Sequence, residues 1–338
     1  MENVPVIDIT GFRLGTEADK KEVARQFDKA CVDVGFIVIK GHGIPDTYSE
    51  TTFETARAFF DLSEAQKLAV KKAIGGAGYH PFATEANAFQ TGQITPEDLR
   101  ESFGLGRPDR RSGAHNKWPA APADLQSTAT SYYSKVEQLG YLLTSIFAVA
   151  LDLPADYFDD KVSKHDSMLL LHHYPQQKIP PLPGQVRSGE HTDAGLFTML
   201  RTERQNRPGG LQVLNRSKVW VDVPAIEDSF IINIGDTMMR WTNDRWISNL
   251  HRVVNPPLDS GEESRRISMP FFFAANDDAI IECLPTCCSA DNPPKYKPVQ
   301  AGAYRHEKLK RTYLYAQAKA EGKLEELLAS TSAAQMNS

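Results

Sequence analysis

Between residues 165 and 275 the chain breaks into short β-branched and aromatic runs separated by turn residues. This rhythm limits the fold more than any other feature. The runs fall at 168–174, 196–201, 210–214, 219–223, 230–234, 251–254 and 267–274. Each is too short for an ordinary helix, and their spacing predicts an antiparallel sandwich or barrel. Gly235-Asp236 reads as a tight turn within this region.

The flanking sequence has a different period. After a β-rich run at 4–9, Thr16 opens a helix with Asp19 three residues on, a near capping box. Val23, Phe27, Ala30, Cys31 and Val34 recur at helical spacing until Gly35, and 36–40 is a strand. A second helix carries Phe53, Ala56, Phe59 and Phe60, and Ser63 with Gln66 caps a third. Residues 75–122 read as irregular, with short strands around 101–105. Residues 124–151 form a long amphipathic helix. Helical pattern returns at 303–330, and 332–338 are expected to fray. The order predicts an α+β chain with a mainly β core. Residues 1–122 form an N-terminal α/β cover, 123–302 the long helix and core, and 303–338 a C-terminal helix and tail.

Bulk chemistry narrows the function classes. Of 338 residues, 41% are hydrophobic and 24% charged, with a formal net charge of −5. This is ordinary globular composition with no basic footprint for nucleic acid or anionic lipid. No positive, apolar leader opens the sequence, and the apolar runs 168–171 and 271–275 are too short to cross a bilayer. Cys31, Cys283, Cys287 and Cys288 include an adjacent pair that suits a mutual disulfide poorly. Four thiols fit a reducing compartment. The expectation is a cytoplasmic monomer with a small-molecule substrate and no nucleic-acid or membrane partner.

Three positions carry the first chemical hint. In His191-Thr192-Asp193 the outer residues share a face if the segment is a strand. His251 on a neighbouring strand would complete a two-histidine, one-carboxylate face, which leaves positions open on iron(II) for O2. Alone, His-x-Asp reads equally well as a hydrogen-bonded surface turn. Arg266 and Ser268 share a face in the same way. An inward Arg in a barrel needs an anion, and its planar fork matches a carboxylate. The alternatives are a buried structural ion pair, or Arg265 facing in with Arg266 out. Met168, Leu170, His172 and Tyr174 line one face of another run, where His172 either lines a site or sits at an edge in water. Trp241 and Phe273 are aromatic candidates for a substrate wall, although such residues more often serve as core.

Together these pieces resemble the isopenicillin N synthase-like group of 2-oxoglutarate/iron(II) dioxygenases, over residues 4–315. The resemblance runs through Gly35-Phe36-Ile37, His42-Gly43-Ile44-Pro45, His172-His173-Tyr174-Pro175, His191-Thr192-Asp193-Ala194-Gly195, Asn233-Ile234-Gly235-Asp236, His251-Arg252-Val253 and Arg266-Ile267-Ser268. It implies a double-stranded β-helix (jelly-roll) barrel with helical N-terminal cover and a C-terminal helix. It implies Fe(II) held by His191, Asp193 and His251, and 2-oxoglutarate held by Arg266 and Ser268 with help from Tyr174. It also implies O2-dependent hydroxylation, desaturation or ring formation on a small metabolite through a ferryl intermediate, as in natural product biosynthesis. His172 stands where relatives often carry Asn. Arg187, in a stretch similar to fungal nucleobase hydroxylases, either anchors substrate or forms a salt bridge at the rim. Two rivals are a same-fold iron oxidase without 2-oxoglutarate and a non-catalytic binding barrel.

Overall fold

The computed structural model describes residues 3–72, 76–107, 116–203 and 210–336. The chain opens with β1 (Val6–Asp8), α1 (Thr10–Leu14), α2 (Glu17–Asp33), β2 (Phe36–Lys40), α3 (Asp46–Phe60), α4 (Glu64–Leu68), β3 (Gly78–His80) and β4 (Glu101–Gly106). Then come α5 (Leu125–Ala150), α6 (Asp159–Val162), β5 (Met168–Tyr174), β6 (Ser188–His191), β7 (Phe197–Thr202), β8 (Leu211–Leu214) and β9 (Trp220–Asp222). The order continues with β10 (Phe230–Ile234), α7 (Asp236–Trp241), β11 (His251–Val253) and β12 (Arg266–Phe273). A ribbon of β13 (Ile280–Ile281) and β14 (Val299–Gln300) leads into α8 (Ala301–Ala320) and α9 (Leu324–Met336).

Two sheets make the core. The larger has the order β1-β2-β10-β7-β12-β5-β4-β3, and the smaller β6-β11-β8-β9. Strands from both sides of residue 122 therefore share one sheet. The capping boxes form as the sequence requires: Thr16 with Asp19 starts α2, and Ser63 with Gln66 starts α4.

One face of the large sheet packs on α5, whose Val136, Leu139, Leu143, Ile146 and Phe147 recur at helical spacing. Leu169, Leu171, Phe197, Met199, Ile267, Met269 and Phe271 answer from the strands. Each such side chain contributes about 1.5–3 kcal/mol when fully buried. Gly140 of α5 allows close approach, since a Cβ there would lie 2.4 Å from the Phe273 ring. The alternate residues, including Leu170, His172, Tyr174, Thr198, Arg266 and Ser268, line a cavity of about 880 Å³ on the other face.

Several expectations change here. Phe273 faces α5 and stacks on Phe197 with ring centroids 4.9 Å apart, so it is core and not a wall of the cavity. Trp241 is also fully buried, packed on Phe158 at 5.2 Å. Gly235 caps α7 in an extended conformation, so Gly235-Asp236 starts a helix and is not a tight turn. A Cβ on Gly235 would meet the Gly195 carbonyl oxygen at 2.3 Å, which explains glycine there. The C-terminal helical pattern divides into two helices at Gly322 (φ 70°). The tail expected to fray from 332 is helical to Met336, and 337–338 lie outside the described residues. No described helix is long and apolar enough to cross a membrane.

Candidate metal centre and its cavity

His191, Asp193 and His251 each point one ligand atom at a common point, with the three atoms within 4.8 Å of one another. Register explains the two histidines. β11 runs antiparallel to β6 with His251 directly opposite His191. Asp193 arrives differently from the sequence expectation: β6 ends at His191, and the chain turns in after it. Asp193 is then fixed by partners, not by strand alternation.

Those partners decide which atoms face the centre. His191 Nδ1 donates to the Gly189 carbonyl at 2.7 Å and His251 Nδ1 to the Asn249 carbonyl at 3.1 Å. Both Nε2 lone pairs are left for a metal. Asp193 Oδ2 accepts from Thr198 Oγ1 and from Asn233 Nδ2 at 2.7 Å. Its Oδ1 lies 3.7 Å from each Nε2. Burial, with His251 beside it, pushes the His191 imidazole down to about 3. Burial pushes the Asp193 carboxyl up, but the two histidines, Thr198 and Asn233 outweigh it and hold it below the ordinary value. Unprotonated imidazoles and an ionised carboxylate are the states a divalent cation requires. The donor set fits iron(II).

At the far end of the same cavity stand Arg266, Ser268 and Tyr174. Arg266 sits opposite Tyr174 across the β12–β5 pair, and Ser268 opposite His172. The Arg266 guanidinium lies 5.9 Å from the Tyr174 ring centre. Arg265, the alternative inward residue, instead pairs with Asp61 at 2.6 Å and with His173 Nε2 at 2.9 Å. Arg187 is not at a rim: it is 1% exposed, sits over the Tyr174 ring at 5.5 Å, and donates to the Ser264 carbonyl. Burial, with Arg266 as neighbour, pushes its guanidinium down to about 10.

His172 lines the cavity and is buried, which excludes the edge position. Arg100 donates to its Nε2 at 2.9 Å, so Nδ1 carries the hydrogen and donates to Ser102 Oγ at 2.6 Å. Burial and the adjacent Arg100 hold the ring well below its usual titration range. Sequence reading did not assign Arg100, Ser102, Thr198 or a role for Asn233. The first two fall in or beside a stretch that reads as irregular, and a hydrogen bond to a neighbouring strand leaves no periodic trace.

Comparison with known proteins gives the family. Residues 4–121 match the non-haem dioxygenase in morphine synthesis N-terminal family, and residues 165–275 match the 2OG-Fe(II) oxygenase superfamily. The chain is 34% identical over 319 residues to the 2-oxoglutarate-Fe(II) type oxidoreductase hxnY of Emericella nidulans, covering 89% of each. It is 29% identical over 290 residues to validamycin A dioxygenase of Streptomyces hygroscopicus subsp. limoneus, covering 82% of this chain and 78% of that one. A full-length Neurospora crassa enzyme solved with α-ketoglutarate and thymine superposes with a TM-score of 0.82 at 33% identity, covering 92% and 97%.

Proposed function

The chain belongs to the 2-oxoglutarate/iron(II) dioxygenases, and from that membership we propose how its own residues divide the work. The enzyme oxidises a small molecule with 2-oxoglutarate and O2. His191, Asp193 and His251 hold the iron; Arg266 and Ser268, with Tyr174 beside them, take the distal carboxylate of 2-oxoglutarate. The two sheets are read as a double-stranded β-helix, with α8 at its mouth. The carrying observation is the pair of Nε2 atoms and one Oδ1 that converge on a single point, in a cavity with Arg266 at its other end.

Iron(II) and 2-oxoglutarate together supply the O2-derived oxidant; the protein's part is to position and protect. Asn233 and Thr198 fix the carboxylate so that one oxygen alone faces the metal. The backbone carbonyls of Gly189 and Asn249 fix both imidazole tautomers. Arg266 supplies a bidentate fork at the barrel's buried end, where a carboxylate offsets its desolvation. A uracil-type substrate is one reading the comparison supports, because the Neurospora enzyme was also solved with 5-formyluracil.

Anaerobic titration of iron(II) with 2-oxoglutarate tests the assignments. The weak visible charge-transfer band of the chelate is expected in the wild-type protein and absent in His191→Ala. Arg266→Ala is expected to raise the 2-oxoglutarate requirement about tenfold or more, the loss of one strong charge-assisted contact. Iron binding without any band would move the reading to an oxidase that does not use 2-oxoglutarate, with Arg266 as a substrate anchor.

A further inference from the structure

One wall of the cavity is built from the N-terminal segment and α8, and its polar atoms have a specific pattern. His80, Arg100 and Thr312 are each more than nine-tenths buried, at 6%, 9% and 8% exposure, and all line the cavity. Each keeps one polar atom without a partner: His80 Nε2, Arg100 Nε and Thr312 Oγ1. Gln90 Oε1, on the same wall, is a fourth. An unpaired buried polar atom forfeits its hydrogen bond to water without replacement, so four on one wall mark a surface completed by a ligand.

The chemistry of that ligand follows from what the four atoms are. Arg100 Nε is a donor. His80 Nδ1 gives its hydrogen to Glu85 Oε1 at 2.9 Å, which leaves Nε2 as an acceptor. Gln90 Oε1 accepts, and the Thr312 hydroxyl can do either. The ligand edge must therefore carry both a donor and an acceptor. Charge sharpens this. Lys72 faces Glu85 at 3.5 Å, Arg100 faces Glu85 and Asp98 at 3.5 Å each, and Arg305 faces Asp166 at 2.5 Å and Asp277 at 2.9 Å. These cations of the wall already meet carboxylates, and the proposal above reserves Arg266 for 2-oxoglutarate. A second anion would lie among Glu85, Asp166 and Asp277, which line the cavity, with its charge uncompensated.

We infer that the substrate is an uncharged molecule bearing an amide-like edge, a lactam, imide or carboxamide, read by His80, Gln90, Arg100 and Thr312. This rests on the dioxygenase reading above. The test is calorimetric titration of the full-length protein, loaded anaerobically with iron(II) and 2-oxoglutarate, with uracil and 2-pyridone, and with orotate, which is uracil bearing a carboxylate. Uracil or 2-pyridone is expected to bind at least tenfold more tightly than orotate. The Gln90→Met/Thr312→Val double variant, which leaves the ion pairs intact, is expected to weaken that binding about tenfold with 2-oxoglutarate affinity unchanged. Orotate binding as tightly as uracil, no uncharged probe binding up to about 10 mM, or a double variant without effect would each overturn the inference. The chelate band in the same samples separates the two readings. If it forms while the probes fail, only the substrate class is lost; if it never forms, the cosubstrate assignment fails first.

Discussion

At the scale of single residues, the candidate centre is set by the groups behind His191, Asp193 and His251 as much as by those three residues. Asp193 has two oxygens, and only the bonds from Thr198 and Asn233 decide that Oδ1 faces the histidines. Such supporting hydrogen bonds are worth about 10–100-fold in metal affinity. Thr198→Val keeps the shape and removes the donor. Its iron(II) affinity, measured by competition with a chelator of known strength, should fall by about tenfold or more while thermal stability barely moves. Asp236 supports the same corner from α7: its backbone N–H donates to the Asp193 carbonyl at 2.7 Å, and its carboxylate holds Lys308 of α8 at 2.7 Å.

At the scale of elements, a buried charge relay ties the N-terminal helices to the sheet. Glu101 of β4 accepts from His173 Nδ1 at 2.7 Å and Lys67 Nζ at 2.8 Å, and also from the Tyr79 hydroxyl. Phe60 of α3 stacks on His173 at 4.8 Å. Burial pushes the Glu101 carboxyl up, but His173, Lys67 and Tyr79 outweigh it and leave it depressed. A depressed carboxyl stabilises the fold above the unfolded value of about 4.5, and that contribution is lost as pH falls through the folded value. Glu101→Gln should therefore destabilise the protein by about 3 kcal/mol at pH 7, the cost of breaking a buried pair. Denaturant melts should show the gap from wild type closing below about pH 4.5; a gap constant with pH would remove Glu101's charge from the account.

At the scale of the whole molecule, α8 closes the cavity that the sheets leave open. Arg305 reaches Asp166, Lys308 reaches Asp236, and Lys319 reaches Glu97, while Tyr315 packs on Phe89 at 5.3 Å. A wall held by ion pairs and a small apolar cluster of Ala86, Phe89 and Tyr315 with Leu324, Leu327 and Leu328 can be removed with less damage than a core strand. Deleting residues 301–338 should leave the iron(II)/2-oxoglutarate chelate band in place. Substrate-stimulated succinate formation should fall at least tenfold, because water then reaches the reacting centre. Loss of the band as well would mean that α8 holds the sheet core itself.

The sequence by itself determined the longer local elements and pointed to the family. Strand runs, capping boxes and the long amphipathic helix are local patterns, and the strand at 168–174 and the helix after Thr16 formed as read. His191, Asp193 and His251, which the fold brings within 4.8 Å of one another, and Arg266 and Ser268, which line the same cavity, were legible as candidates because they stand at spacings that strands or the family share. Only the tertiary structure decided which face each strand turns inward, since a period of two leaves both faces open. That choice sent Phe273 to α5 and Arg266 to the cavity. It also brought Asp193 in from beyond the end of its strand. The polar wall of His80, Arg100 and Thr312 joins segments more than two hundred residues apart, where no local pattern records that they meet.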